Sequence, residues 1–326
     1  MEINREKSIV FMGTPDFAVG ILQAMMDAGC RIVGVVTTPD KPSGRGLKVN
    51  RSAVKEFLLQ REAATGEKMP LLQPVSLKDP EFIETLQSWH ADLFVVVAFR
   101  MLPKIVWGMP PMGTFNLHAS LLPQYRGAAP INWAIINGDT RTGVTTFFLD
   151  EHIDTGAIIR QSETEIGPDE NVGSLHDRLM EIGCQLVCES IDAIFKGEVT
   201  PLPQPEIEDL RPAPKLNRET GLLNWKDSAQ HLHNLIRGLS PYPGAHSLLH
   251  AGGKEQDVKI YAAQPVAQKN PVDVAPGTIS TDGKTYFRVQ CGSDALDILE
   301  LQMPGKKRLS IREFLAGWRP TEAFFE

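Results

Sequence analysis

Ser8-Ile-Val-Phe-Met-Gly-Thr-Pro-Asp16 decides how the first half of the chain reads: a short apolar run stops at a glycine and a proline, and an apolar periodicity then continues from Phe17 through Met26. An uncharged run broken by turn residues and followed by helical spacing predicts strand, turn, helix. Thr14 is the expected N-cap, and Pro15 fits the first helical position, where its missing N–H costs nothing. The pattern recurs. Residues 31–37 form a second buried-type strand and residues 92–98 a third, apolar on both faces. Strands of that kind, separated by helical segments, imply a parallel sheet covered on both sides. The first two-thirds therefore reads as an open, Rossmann-like α/β domain with a mostly parallel sheet. No G-x-G-x-x-G follows the first strand, which argues against a nicotinamide dehydrogenase.

Val172, Leu175, Leu179, Ile182, Leu186 and Ile191 recur at near-helical spacing and predict a long helix over 171–195 that closes this domain. Prolines 201, 203, 205, 212 and 214 then crowd one stretch, which predicts an extended, semi-rigid connector. Beyond Lys215 the texture changes. Residues 231–239 look helical, and residues 258–262, 285–291 and 295–302 are short, mostly alternating segments between turn residues. That predicts a small OB-like β-barrel. Ser310 and Glu313 have the spacing of a capping box and start a terminal helix through Leu315. The expected division is a catalytic domain over 1–198, a Pro-rich linker over 199–215 and a β-barrel domain over 216–326.

The 326 residues are 42% hydrophobic and 22% charged, the balance of a globular chain long enough for two cores. No apolar run is long enough to span a bilayer, and residues 8–12 are too short for a secretory core, so the expected location is cytoplasmic. Cys30, Cys184, Cys188 and Cys291 form no C-x-x-C pair, and no His cluster has zinc spacing. Cys184 and Cys188, one helical turn apart, read as core residues. The net charge of −7 is unevenly spread: residues 1–210 carry 18 Lys and Arg against 28 Asp and Glu (−10), and residues 211–326 carry 15 against 12 (+3). On charge alone the second half is the better electrostatic footprint for phosphate.

The chemistry concentrates in Thr114-Phe-Asn-Leu-His-Ala-Ser-Leu-Leu-Pro-Gln-Tyr-Arg-Gly127. Residues two apart in a strand share a face, so Asn116 and His118 converge while Phe115 and Leu117 turn away. Asp150-Glu-His-Ile-Asp-Thr-Gly156 offers a carboxylate, Asp154, to complete a three-residue site. An Asn, a His and an Asp without a Ser or Cys nucleophile suit a substrate that brings its own nucleophile, such as an amine attacking an acyl carbon. The site must then stabilise an oxyanion, take a proton from the amine and return one to the leaving nitrogen. His152-x-Asp154 has no third or fourth ligand at suitable spacing, so metal binding is not expected.

The run Phe115 to Gly127, taken with Asp154-Thr-Gly156, resembles the formyltransferases that use 10-formyltetrahydrofolate. Gly13-Thr-Pro-Asp-Phe-Ala18, Pro39-Asp-Lys-Pro-Ser-Gly-Arg-Gly46, Gln73-Pro-Val-Ser76 and Leu301-Gln-Met-Pro-Gly-Lys-Lys307 are similar to the branch of that family acting on methionyl-tRNA. The resemblance implies 10-formyltetrahydrofolate as co-substrate, no metal, and methionine esterified to initiator tRNA as acceptor. Asn116, His118 and Asp154 would be catalytic, and Ser120, Leu121, Leu122 and Pro123 would shape the folate wall. It further implies that Lys41, Arg45 and Lys48, in the loop after the second strand, grip the acceptor stem. Lys306 and Lys307 would ordinarily be a solvated face, but in a basic barrel they become phosphate contacts. The chain is expected to act as a monomer. It departs from the family pattern at Phe99-Arg100, where pterin contacts are usual, and at Glu151-His152, which puts a second imidazole near Asp154. Two other readings compete: an amino-sugar-nucleotide N-formyltransferase, disfavoured by the Gly-Arg-Gly loop, and a non-catalytic tRNA- or folate-binding protein, disfavoured by the intact trio.

Overall fold

In the computed structural model, which describes residues 6–43, 48–267, 274–319 and 322–326, the opening stretch forms β1 (Ser8–Gly13), with every residue buried, and then α1 (Asp16–Asp27). There follow β2 (Arg31–Val36), β3 (Lys41–Ser43), β4 (Lys48–Asn50), α2 (Ala53–Thr65), β5 (Leu71–Leu72), α3 (Pro80–Ser88) and β6 (Leu93–Val97). The chain continues through α4 (Lys104–Trp107), β7 (Thr114–His118), α5 (Pro130–Ile136), β8 (Arg141–Phe148), β9 (Ile158–Glu165) and α6 (Val172–Lys196). One sheet runs in the order β5-β2-β1-β6-β7-β8-β9. Strand β1 is parallel to both β2 and β6, and β6 is parallel to β7, as the doubly apolar strands predict. Only β8 turns antiparallel to β7 among the pairings described here. From β1 the chain winds outward to β2 and β5 and then returns to β6 on the other side. The order therefore switches between β1 and β6, and ligands of such sheets bind at the carboxyl ends beside that switch.

The expected cap of α1 shifts by one residue. The Pro15 carbonyl accepts from the N–H groups of Ala18 (2.9 Å) and Val19 (3.2 Å), and Pro15 is extended at ψ 179, so Pro15 is the N-cap and Asp16 the first helical residue. Thr14 instead accepts at its carbonyl from Val54 N–H, 3.4 Å away. The long helix α6 matches the apolar periodicity and lies close to the sheet. A Cβ on Gly183 would meet the Leu117 side chain at 2.8 Å, so this glycine lets the helix brace the face of β7 opposite Asn116 and His118. Cys184 and Cys188 donate to the carbonyls of Gly20 and Ala24, and burial pushes the Cys188 thiol up to about 11, as fits inert core thiols.

The later part forms α7 (Ala229–Gly238), β10 (Ala245–Ala251), β11 (Lys254–Val266), β12 (Ile279–Thr281), β13 (Phe287–Gln290), β14 (Ala295–Gln302), β15 (Leu309–Ser310), α8 (Ile311–Gly317) and β16 (Ala323–Phe325). The antiparallel order β12-β13-β14-β11-β10-β16 is joined at its ends by a bridge between Thr278 and Phe324, giving a nearly closed barrel. Leu232, Ile236, Ile260, Phe287, Leu301 and Phe325 are among the side chains filling it. The capping box at α8 forms: Glu313 N–H donates to Ser310 Oγ, and Ser310 N–H donates to the Glu313 carboxylate at 2.9 Å.

The chain divides into two compact units that are not contiguous in sequence. Met1–Gly127, Gly143–Thr164 and His176–Pro212 make one, and Ala128–Thr142, Glu165–Leu175 and Ala213–Glu326 the other. Within the second unit α5 is tied to α7 by Asn132 donating to the Gly238 carbonyl at 2.8 Å, and Trp133 donates to the Pro214 carbonyl at 2.8 Å. The Pro-rich stretch forms no helix. Leu202 bridges Ile158 at the start of β9.

Candidate active site at the carboxyl ends of the parallel strands

Strand β7 carries the first two site residues. Phe115 (0% exposed) and Leu117 (3%) fill the face covered by α6, which leaves Asn116 half-buried and His118 6% exposed on the alternate positions. His118 Nε2 lies 2.8 Å from the Tyr125 carbonyl, which can only accept, so Nε2 carries a proton. That leaves Nδ1 as the nitrogen free to gain or lose one. Nδ1 faces Asp154 Oδ2 at 3.8 Å, within ion-pair range and beyond a hydrogen bond. The three predicted residues are thus brought together, two by strand alternation and one by a loop.

The loop between β8 and β9 is folded for this purpose. Asp150 accepts from His152 N–H (2.9 Å) and from Thr155 Oγ1 (2.7 Å), an Asx-type turn that coils the loop on itself. Gly156 is drawn so close to the end of β8 that a Cβ would sit 1.7 Å from the Phe148 carbonyl oxygen. Between these anchors Asp154 has a φ of 55°, a left-handed conformation uncommon for a residue with a Cβ, and its Oδ2 accepts from Gly127 N–H at 2.9 Å. His152 is exposed, and Glu151 pairs with Lys104, whose amine holds the Glu151 carboxyl below the usual carboxylate range.

The turn after β7 is built from within. Thr145 Oγ1 donates to the Ser120 carbonyl (2.7 Å) and accepts from Leu122 N–H (3.1 Å) and Gln161 Nε2 (2.9 Å). Ser120 is fully buried and donates to the Gln124 carbonyl at 2.6 Å, Leu122 is 3% exposed, and Leu122–Pro123 is cis. Leu121 packs over Gly143, where a Cβ would meet its side chain at 2.6 Å. The Ser120 hydroxyl and the Leu122 side chain are therefore spent on the turn itself, and the Leu121 and Leu122 carbonyls accept from Gln124 N–H and Gln161 Nε2.

At the switch point two buried polar atoms, Thr14 Oγ1 after β1 and Arg100 Nε after β6, have no hydrogen-bond partner among the described residues. Arg100 uses its other nitrogens to grip the carbonyls of Val75 (3.0 Å) and Pro74 (2.8 Å). Burial pulls its guanidinium below the ordinary arginine range.

The predicted tRNA contacts divide between the two units. Lys41 is exposed on β3, which pairs with β4, and Lys48 stands opposite Ser43 in that pairing. Arg45 lies outside the described residues. The hairpin is rooted by Lys55, which donates to Asp40 and Gln73, both at 2.7 Å, and Gln73 donates back to Asp40 at 2.8 Å. These bonds, Lys55's foremost, hold the Asp40 carboxyl below its usual range. Lys306 and Lys307 are exposed in the turn between β14 and β15 of the other unit.

Sequence reasoning missed Asp150, the Tyr125 carbonyl, the Gly127 amide and Gln204, which donates to the carbonyls of Asp154 and Gly156. Asp150 carried a signal, an Asp two residues before a turn N–H. The backbone groups and Gln204 carried none.

The formyl transferase family matches residues 6–191, and the family of formyl transferase C-terminal domains matches residues 215–319. A methionyl-tRNA formyltransferase of Bacteroides fragilis is 52% identical over 97% of this chain and 96% of its own length. That of Flavobacterium johnsoniae is 50% identical over 95% of both. Among solved structures, WlaRD, a sugar 3N-formyl transferase solved in the presence of dTDP and 5-N-formyl-THF, aligns with a TM-score of 0.64 at 19% identity, covering 92% of this chain and 99% of WlaRD. HypX of Aquifex aeolicus, in complex with tetrahydrofolic acid, aligns at 0.61 and 18% identity, covering 98% of this chain and 50% of HypX. At those identities the likeness extends to the fold alone.

Proposed function

The chain belongs to the formyl transferase family, and from that premise we propose that it transfers the formyl group of 10-formyltetrahydrofolate to the α-amine of methionyl-initiator tRNA, for translation initiation. The observation that carries this choice of acceptor is identity of about half of all positions with methionyl-tRNA formyltransferases, running through the α/β part and the barrel alike. The enzyme works in the cytoplasm as a monomer; among the described residues no helix is long and apolar enough to cross a membrane.

The geometry supports the chemistry. The Asn116 amide donates to the formyl oxygen as it gains charge under attack by the amine, with His118 alongside. With Nε2–H committed to the Tyr125 carbonyl, His118 takes the amine proton at Nδ1 and returns one to the leaving nitrogen. Asp154, 3.8 Å from Nδ1, compensates the imidazolium between those two transfers. The residues also suit a folate. The buried Thr14 Oγ1 and Arg100 Nε at the switch point supply polar partners for a heterocycle. Lys41, Arg45, Lys48, Lys306 and Lys307 serve as phosphate contacts, with residues 1–198 as the catalytic part and 216–326 as the tRNA-binding part.

The test is formylation of charged initiator and elongator methionyl-tRNA at one salt concentration with 10-formyltetrahydrofolate as donor. The initiator is expected to be formylated preferentially, and equal rates would remove initiator selection from the reading.

A further inference from the structure

Residues 202–211, which read from sequence as a passive connector, are bonded to the partners of both His118 and Asp154. Residues 201–210 are exposed except for Gln204, which is half-buried. Its amide makes four bonds. Nε2 donates to the carbonyls of Asp154 (2.8 Å) and Gly156 (2.9 Å), and Oε1 accepts from Arg126 Nε (3.1 Å) and Nη2 (2.6 Å). Arg126 immediately precedes Gly127, whose N–H donates to the Asp154 carboxylate at 2.9 Å. One side chain thus ties the backbone of Asp154 to the segment that holds its carboxylate.

Farther along, the Arg211 carbonyl accepts from Tyr125 N–H at 2.8 Å, Arg211 lies over the Tyr125 ring at 5.0 Å, and Gln124 donates to the Asp209 carbonyl at 2.8 Å. Tyr125 in turn supplies the carbonyl that fixes the His118 tautomer. Both Tyr125 (φ 60°) and Asp154 (φ 55°) are non-glycine residues in the left-handed region, a conformation that persists when the surroundings enforce it.

We propose that Gln204 is a positioning residue, which holds Asp154 at its working distance from His118 Nδ1 by clamping the 154–156 backbone to Arg126. This rests on the reading of His118 and Asp154 as catalytic. Gln204 acts through Asp154 and not on substrate, so its removal should lower kcat and leave KM for both substrates nearly unchanged.

The experiment measures kcat, both KM values and melting temperature for the wild type, Gln204→Ala, Gln204→Glu, Asp154→Asn and the double variant Gln204→Ala/Asp154→Asn in the full chain. Gln204→Ala should lose about 10- to 100-fold in kcat, the scale of a displaced catalytic group, with KM within about twofold. Gln204→Glu keeps the size and the acceptor for Arg126 but has no N–H donors, so it should lose kcat as well and still reads the clamp if the alanine variant folds poorly. In the Asp154→Asn background the Gln204→Ala change should cost less than about twofold more, because residues acting as one unit are not additive. Wild-type kcat in both single Gln204 variants would overturn the proposal. So would an equal fold-loss in the two backgrounds, the mark of a purely structural role. Wild-type kcat in Asp154→Asn would overturn the catalytic reading of Asp154 itself, and the proposal with it.

Discussion

Replacing Asp154 by Asn removes a charge and little else. Asn is at home in the left-handed region that Asp154 occupies at φ 55°, and its amide oxygen can still accept from Gly127 N–H. What disappears is the compensation of the imidazolium. A unit charge 3.8 Å from Nδ1, with both side chains at least 85% buried, is worth about 4 kcal/mol at an effective dielectric constant of about 20. Converted at 1.36 kcal/mol per tenfold, that is an upper limit of about three powers of ten in rate. Solvent reorganisation recovers part of it, so the expected loss in kcat is about 10²- to 10³-fold, with stability unchanged within about 1 kcal/mol. The assay is single-turnover formyl transfer with both substrates saturating, paired with thermal unfolding. A kcat within about threefold of the wild type, in a variant that unfolds normally, would refute the argument that this charge is used.

Three further outcomes follow from the same geometry. Asn116→Ala should lower kcat by about 10²- to 10³-fold with little change in melting temperature, as loss of one oxyanion donor does, and steady-state kinetics checks it. Gly156→Ala puts a Cβ 1.7 Å from the Phe148 carbonyl, a backbone atom that cannot step aside, so both activity and about 1–3 kcal/mol of stability should be lost, read by denaturant unfolding. Arg45→Ala should weaken use of tRNA, reduce the slope of log affinity against log salt by about 1, and leave folate KM unaltered; an unchanged salt slope would remove Arg45 from the phosphate contacts.

The residues that sequence made legible are those whose reasons are local. The first strand and helix declare themselves because Ile9, Val10, Phe11 and Met12 are apolar on both faces and the spacing of Phe17 to Met26 is helical. The α8 capping box is a three-residue spacing, and Asn116 with His118 is strand alternation. One local feature escaped: the cap of α1 falls on Pro15 because Val19 N–H, four residues on, reaches that carbonyl, a one-residue shift that composition does not encode. Where the deciding bond is long-range, the sequence is silent. The segments Ala128–Thr142 and Glu165–Leu175 cluster with the later unit through partners about a hundred residues away, such as the bond from Asn132 to Gly238. Ser120 and Leu122 belong to a motif that suggests ligand contact, yet the Ser120 hydroxyl is buried against the Gln124 carbonyl, and the Leu122 side chain is buried while its N–H donates to Thr145. Gln204 sits among prolines with no periodicity to mark it, and its partners lie 48 to 78 residues earlier.

The most direct test offers the purified protein 10-formyltetrahydrofolate together with methionyl-tRNA and an amino-sugar nucleotide in one reaction, and identifies the formylated product by mass spectrometry. Formyl-methionyl-tRNA as the product, lost in the Asp154→Asn and His118→Ala variants, is the predicted result. Formylation of the sugar nucleotide with methionyl-tRNA left untouched would contradict it.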